Sequence, residues 1–350
     1  MTRVDAPRSD RPGADVANPD ELGLGRYAVA MSSDDLARRL FGQDLELLRA
    51  APGVAELPVV TAFDDETFAR LADVDVLVTG WGAPAITAEV LDRLPRLSTV
   101  IHAGGGTDAL IAPEIRSRLQ RSNAGSINAI PVAEYSLAMI MLACRQVFAS
   151  QRIYRQVRGR VDREQTFPDA GLFGQTVGLV GASRIGRRVI DLLRPFSVHI
   201  LLADPYLTED DAFTLGVELA PLDEVMRRSD VVSLHPPLND ETRGMIGARE
   251  IALMRDGATL LNTSRGGVVD LPALQSELLS GRIEAILDVT DPFEPLPADS
   301  PLWECENVVL TPHVAGSMGT ELRRMGEHVA DELTRALRGQ PLEADESPAR

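Results

Sequence analysis

Three separated segments of this 350-residue chain carry side chains suited to moving a proton and holding charge at a carbonyl group. Leu260-Leu261-Asn262-Thr263-Ser264-Arg265-Gly266-Gly267 presents Arg265. Leu287-Asp288-Val289-Thr290-Asp291-Pro292-Phe293-Glu294-Pro295 presents Asp288 and Glu294. Leu310-Thr311-Pro312-His313-Val314-Ala315-Gly316 presents His313. Each segment opens as a short apolar run and ends in polar residues, as expected at the carboxyl end of a strand. A histidine near neutral pH can give or take the proton of a carbonyl oxygen. A neighbouring carboxylate orients an imidazole and favours its charged form. A guanidinium grips a carboxylate at two points, in a geometry lysine lacks. Together these groups are equipment for interconverting a 2-keto acid and a 2-hydroxy acid.

Such chemistry needs a hydride carrier, and one segment is built to hold a dinucleotide. In Thr176-Val177-Gly178-Leu179-Val180-Gly181-Ala182-Ser183-Arg184-Ile185-Gly186 an apolar strand ends at Gly181 and a helix begins at once. The first amides of that helix, with its dipole, can hold a pyrophosphate. Gly181 permits the tight turn and Gly186 permits close packing of helix on strand. Ser183 stands where the middle glycine of G-x-G-x-x-G is expected, so the motif alone is balanced against glycines kept for packing. Asp204 tips that balance. It ends the next apolar strand, about 20 residues on, where an acid bonds the adenosine ribose hydroxyls and repels a 2′-phosphate. NAD is therefore expected over NADP. The competing reading is an Asp that merely closes a strand before Pro205.

The elements that must position these groups follow a βα rhythm. The spacing predicts a strand at Arg26–Met31, a helix near Asp34–Arg49, and short strands at Val59–Val60, Val74–Thr79 and Ser98–His102. A glycine loop, Ala103 to Asp108, follows the last of these. A long apolar helix is predicted from Pro131, in its first turn, to about Gln151. A polar, arginine-rich stretch, Arg152 to Gln165, comes next. Six further strands are predicted at Thr176–Gly181, His199–Ala203, Val231–His235, Thr259–Asn262, Ile283–Asp288 and Val308–Leu310. They describe a doubly wound dinucleotide domain, and an amphipathic helix, Thr320–Leu337, is expected to return to the first domain.

Composition narrows the function classes. At this length two domains are expected. Aromatic residues are only 4%, so the core must be Leu, Val, Ile and Ala, which suits parallel strands covered by helices. The formal charge of −17 argues against nucleic acid, which wants a basic face. All 35 basic residues are arginine. That excludes Schiff-base chemistry and phosphate loops that need lysine. The two cysteines, Cys144 and Cys305, lack metal-ligand spacing, so no metal is expected and a reducing cytoplasm is. Residues 1–24 read as a disordered tail and not a signal peptide. The longest apolar run, Val132 to Cys144, is interrupted by Glu134 and reads as a buried helix too short to span a bilayer, so no membrane partner is expected.

The chain resembles the D-isomer-specific 2-hydroxyacid dehydrogenase family from about residue 50 to 337. The segments that carry the likeness are NAIPVAEYSLAMIMLACR, VGLVGASRIG, VVSLHPPLNDETRGMI, LLNTSRGGVVD and LTPHVAG, in that order. The resemblance implies an α/β protein of two domains. A Rossmann-type doubly wound NAD-binding domain would span 129–316, and a flavodoxin-like substrate domain would span 25–128 plus 317–350, with the active site between them. It implies that Arg265, Glu294 and His313 are the catalytic trio. Thr263 and Asp288 would lie by the nicotinamide, with His235 and Pro236 beside the adenosine half. The expected cofactor contacts are thus Gly181, Ser183, Arg184, Ile185, Gly186, Asp204, His235, Pro236, Thr263, Arg265, Asp288, His313 and Gly316. The substrate carboxylate would meet the amides of Gly104, Gly105 and Gly106. The long helix from Pro131 resembles the family's dimer element, so a homodimer is expected.

Departures from the family pattern shape the substrate reading. Ser183 replaces a glycine. Phe293 reads as a one-residue insertion, which makes Glu294 the expected catalytic acid and Asp291 the alternative. Family members that oxidise formate carry glutamine at the acid position, so Glu294 argues against formate. Members acting on phosphoglycerate use arginine where Trp81 stands in Thr79-Gly80-Trp81-Gly82, and many add a regulatory domain. A phosphorylated substrate is therefore disfavoured. Small keto acids such as glyoxylate, hydroxypyruvate or a bulkier apolar analogue are the expected range. Trp81 is read as a pocket wall, with plain core packing as its alternative.

The other histidines divide similarly. His199 reads as structural and His328 as surface, while His102, just before the glycine loop, is open between substrate contact and structure. A second function class, an NAD(H)-sensing binding protein or corepressor-like relative on the same fold, is opposed by the complete Arg265, Glu294 and His313 set.

Overall fold

A computed structural model of the chain describes residues 25–346. The tail expected at residues 1–24 lies outside the described residues. The chain divides into two compact units, one running to Gly125 and resuming at Leu322, the other spanning Ser126–Glu321. Residues 126–128 and 317–321 thus belong with the second unit.

The first unit is built on five parallel strands: β1 (Arg26–Ala30), β2 (Val54–Val60), β3 (Val76–Gly80), β4 (Thr99–Ala103) and β5 (Gln120–Asn123), in the order β2-β1-β3-β4-β5. That is the flavodoxin-like order, with ligands expected outside the strands' carboxyl ends. Every residue of β3 and β4 is buried, as required of parallel strands covered on both faces. The helix expected over 34–49 is two helices, Asp34–Phe41 and Glu46–Arg49. Gly42 (φ 93°) and Leu45 (φ 55°) turn left-handed between them and break it.

Strand β5 has no apolar pattern and escaped prediction. Arg121, Ser122 and Asn123 are buried there because each has a partner. Ser122 donates to the carboxylate of Glu332, itself buried in the helix Glu321–Leu337, and Asn123 Oδ1 accepts the Gly125 amide at 2.7 Å. Glu332 also accepts the amides of Glu343 and Ala344, at 2.9 and 3.2 Å. The chain beyond the helix is thereby pinned to β5, where Ser122 and Asp345 form an antiparallel bridge. At Gly326 a Cβ would lie 1.8 Å from the Leu40 carbonyl oxygen, so glycine is what lets this helix close on its neighbour.

The second unit holds seven parallel strands: β6 (Thr176–Val180), β7 (His199–Ala203), β8 (Glu218–Leu219), β9 (Val231–Leu234), β10 (Thr259–Asn262), β11 (Glu284–Leu287) and β12 (Val308–Leu310). Their order is β12-β11-β10-β9-β6-β7-β8. The two-residue β8 is the strand missing from the predicted six. Strand order reverses at β6, between β9 and β7, which opens a crevice at the carboxyl ends. Alternate residues feed two cores. Leu201, Val232, Leu234 and Leu260 point one way, and Val177, Leu179, Leu202 and Leu261 the other.

The long helix runs Gly125–Cys144, so Pro131 sits inside it and not in its first turn. The start is set by the Asn123 side chain on the Gly125 amide. At 20 residues and a mean hydropathy of 1.6 this helix has the length and apolarity to cross a membrane. The length expectation based on Val132–Cys144 was too short, because the apolar run continues back through Ile130. Ala133, Ile140, Ala143 and Cys144 nevertheless pack into the second unit's core with Val177, Leu179 and Val231. The chain then breaks at Gln146 (φ 51°) and restarts as Val147–Val157, a helix that buries none of its residues.

Candidate active site

The Gly-rich turn is shaped by its neighbours. Gly181 has φ 92°, and a Cβ there would stand 2.9 Å from the Pro236 nitrogen. A Cβ on Gly186 would lie 2.2 Å from the Gly181 carbonyl oxygen. Both glycines are therefore demanded by backbone approach. Ser183 needs no such freedom. It is the N-cap of the helix Arg184–Leu193, extended at φ −61° and ψ 176°, and its hydroxyl accepts the Gly186 amide. The first backbone bond of that turn is Arg187 N–H to the Ser183 carbonyl. The amides of Arg184 and Ile185 precede it, the positions at which a helix start can hold an anion.

Asp204, beyond β7, accepts the Ala182 amide on Oδ2 at 2.7 Å and the Tyr206 amide on Oδ1 at 2.9 Å. It ties the Gly-rich turn to the neighbouring strand and keeps lone pairs for a ribose. The His235 ring is buried, with Nε2 2.9 Å from the Ser233 hydroxyl. Burial pushes its pKa down to about 4, so the ring is neutral. Its Nδ1 has no partner among the described residues. What lies against the turn is the backbone of His235 and Pro236. Glycines demanded by backbone approach, a helix start and a carboxylate at the adjacent strand end suit a dinucleotide.

On the other side of the sheet's switch, β10, β11 and β12 lie side by side and deliver Arg265, Glu294 and His313 from their carboxyl ends. Glu294 Oε1 stands 2.6 Å from His313 Nδ1, both side chains being partly exposed. The paired acid is Glu294 and not Asp291. Arg265 is exposed and extended, and one guanidinium N–H bonds the Ser264 carbonyl at 2.7 Å. No acid among the described residues pairs with it, which leaves a guanidinium free for a ligand. A Cβ on Gly266 would meet the Thr290 carbonyl carbon at 2.1 Å. The Arg265 loop is thus pressed onto the loop that carries Glu294.

Asp288 holds the histidine loop. Oδ1 accepts the Thr311 hydroxyl at 2.6 Å and the Val314 amide at 2.8 Å, and Oδ2 accepts the Ala315 amide at 2.9 Å. Thr311 in turn accepts from the Tyr135 hydroxyl at 2.8 Å, since its own proton goes to Asp288. Burial raises the Tyr135 pKa and keeps the phenol a donor. Thr263, buried beyond β10, shares a hydrogen bond with Ser136 at 3.1 Å. Gly316 gives way to Asn128, whose Oδ1 accepts the Ser317 amide at 2.7 Å and would lie 3.1 Å from a Cβ on Gly316. Sequence reading passed over Tyr135, Ser136, Thr311 and Asn128. For Tyr135, Ser136 and Asn128 the clue was that hydroxyls and an amide recur along an otherwise apolar helix. Among the described residues no group of three His, Cys, Asp or Glu could hold a metal.

The first unit carries the remaining expected residues. Gly104, Gly105 and Gly106 follow β4, and Thr107, fully buried, donates to Glu346 and accepts from Arg121. Trp81 is exposed at the end of β3.

Residues 137–315 match the family model described as D-isomer specific 2-hydroxyacid dehydrogenase, NAD binding domain. This chain belongs to that family. It is 33% identical over 297 residues to a D-3-phosphoglycerate dehydrogenase of Methanocaldococcus jannaschii, covering 83% of this chain and 55% of that one. It is 38% identical over 274 residues to a glyoxylate reductase of Korarchaeum cryptofilum, covering 77% of this chain and 82% of that one. Among solved structures, the TT0316 protein from Thermus thermophilus superimposes with a TM-score of 0.74 at 29% identity, over 92% of this chain and 99% of that one. The chain spans about half the length of the phosphoglycerate dehydrogenases it matches.

Proposed function

We propose that this protein is an NAD-dependent oxidoreductase that interconverts a small 2-keto acid and its D-2-hydroxy acid, with His313 as the acid and base. The observation that carries the reading is the Glu294–His313 pair at 2.6 Å, on the strand ends that also deliver Arg265, which has no acidic partner among the described residues. When bound, NADH supplies the hydride to the keto carbon. Glu294 holds Nδ1–H of His313, which leaves Nε2 to give its proton to the carbonyl oxygen. Arg265 clamps the substrate carboxylate and polarises the carbonyl. Asp204 favours NAD by repelling a 2′-phosphate. The likeness to a glyoxylate reductase supports a small substrate.

The test is NADH oxidation by the purified protein with glyoxylate, hydroxypyruvate, pyruvate and a bulkier apolar keto acid. Turnover is expected with at least one, yielding the D product on chiral analysis. Tight NADH binding without turnover of any of them would refute the reading.

A homodimer through the helix Gly125–Cys144 accompanies this proposal. Val147, Tyr154 and Val157 on the following helix are exposed apolar residues that such a contact would cover. Sedimentation should show twice the chain mass; a monomer at micromolar concentration would overturn it.

A further inference from the structure

The helix Gly125–Cys144 packs Ala133, Ile140 and Ala143 into the core of the second unit. Tyr135, half-buried on the same helix, places its hydroxyl 2.8 Å from Thr311 Oγ1, in the loop after β12. The Thr311 hydroxyl lies 2.6 Å from Asp288 Oδ1. A carboxylate has no proton to give, so Thr311 donates to Asp288 and Tyr135 donates to Thr311. Each hydroxyl spends its one proton, and both contacts are made. Burial raises the Tyr135 pKa, so the phenol keeps the proton that this chain needs.

Thr311 stands two residues before His313 and is held at every polar atom. Its amide donates to the Leu287 carbonyl at 3.0 Å, and its carbonyl accepts the His313 amide at 3.0 Å. Its hydroxyl joins Tyr135 to Asp288. Among the described residues, Tyr135 is the one partner of Thr311 from outside the β11–β12 pair and its loops. That second anchor restricts rotation of the Thr311 side chain, and an accepted bond makes its hydroxyl a better donor to Asp288. The consequence reaches His313, whose φ of 53° persists only where its surroundings impose it. Ser136 repeats the pattern beside Tyr135: its hydroxyl donates to the Val132 carbonyl at 2.8 Å and accepts from Thr263, beyond β10, at 3.1 Å. Asn128, two turns earlier on the face of Tyr135, accepts the Ser317 amide. One helix thus braces the loops after both β10 and β12.

We propose that Tyr135 is a positioning residue for the reaction, which acts through Thr311 to fix the backbone that aims His313 and so ties proton transfer to the seat of the helix Gly125–Cys144. This rests on the functional reading above and deepens it, because the aim of His313 matters only if His313 moves the proton. A phenol that merely filled space would give way to phenylalanine without loss.

The test is steady-state kinetics of the full chain with NADH and whichever of glyoxylate, hydroxypyruvate or pyruvate it reduces fastest. Tyr135→Phe keeps the ring and removes the hydroxyl. Its kcat should fall by about 3- to 10-fold, the range for one neutral hydrogen bond felt in full at the transition state. The keto-acid KM and the NADH Kd should stay within about twofold of wild type, as for a contact that acts only in the transition state. Thr311→Val should cost more, and adding Tyr135→Phe to it should cost nothing further, because the two residues act through one contact. Thr311→Ser, which keeps a hydroxyl, should retain most of the rate. Equal kcat in wild type and Tyr135→Phe would overturn the assignment, as would independent losses that multiply in the double variant. NADH affinity and thermal midpoint falling together with kcat would reduce Tyr135 to packing and overturn it as well. In each of these cases wild-type turnover, and with it the functional reading, stands. A wild-type protein that binds NADH but reduces no keto acid would overturn the functional reading and this inference with it.

Discussion

Asp288 and His313 are joined through the backbone: the His313 amide donates to the Asp288 carbonyl at 3.0 Å, while the Asp288 carboxylate accepts from the Thr311 hydroxyl and the Val314 amide. The catalytic candidate is therefore aimed by a buried acid one strand away, with φ 53° at His313 held by this grip. Left-handed backbone is costly for most side chains and persists only where the surroundings impose it.

Replacing Asp288 by Asn should expose that dependence. The Val314 and Ala315 amides both donate to the carboxylate, so an amide NH2 must face at least one of them. A buried donor left without an acceptor costs about 1–3 kcal/mol. Urea denaturation should show that loss, and kcat should fall with it. Unchanged stability would mean that the carboxylate is not what holds the loop.

His313→Asn separates chemistry from folding. Asn tolerates left-handed backbone better than most residues, and the site is partly exposed, so stability should stay within about 0.5 kcal/mol of wild type. Loss of the proton donor should lower kcat by about 100-fold or more, with NADH affinity intact. Full activity in the variant would remove His313 from the mechanism.

Ser183 is a helix cap in the position where a glycine was expected. Ser183→Ala should destabilise the protein by about 1 kcal/mol, and Ser183→Gly by only a few tenths. Because φ is −61°, Ser183→Gly should tighten NADH binding by no more than about threefold, an estimate that follows from the absence of strain. A large gain in affinity would show that the Cβ does obstruct the pyrophosphate.

Asp204→Ala should weaken NAD binding and relax discrimination against NADP, because it removes both the ribose acceptor and the charge that repels a 2′-phosphate. It also frees the Ala182 and Tyr206 amides, so a lower thermal midpoint should accompany the change. If the preference for NAD over NADP stays put, the ribose assignment fails.

Acid should destabilise the fold in a defined window. Burial lowers the pKa of His102 and of His235 to about 4, against about 6.5 in the unfolded chain. Between those values the unfolded state binds more protons, so stability rises with pH. The contribution is complete above about pH 6.5 and is lost as pH falls towards 4, up to about 3 kcal/mol for each ring. Urea midpoints measured at pH 5 and pH 7 should differ accordingly, and His102→Gln should flatten the slope. An unchanged slope in that variant would show that His102 is not titrating on unfolding.

The sequence by itself determined the α/β rhythm, the Gly-rich turn before the helix Arg184–Leu193, and the polar residues at three strand ends. All are short-range properties: apolar period, turn chemistry and spacing within one segment. Contacts between distant segments were decided only by the tertiary structure. Glu294 and Asp291 lie three positions apart on one loop, and nothing local distinguishes them; the packing of β11 beside β12 brings Glu294 to His313. Asp288 reads from sequence as a cofactor neighbour, yet most of its carboxylate is spent on residues 311–315. Strand β5 looks like loop until Glu332, far along the chain, supplies the buried acceptor for Ser122. A polar group can be buried only where a partner waits, and that partner is named by the fold.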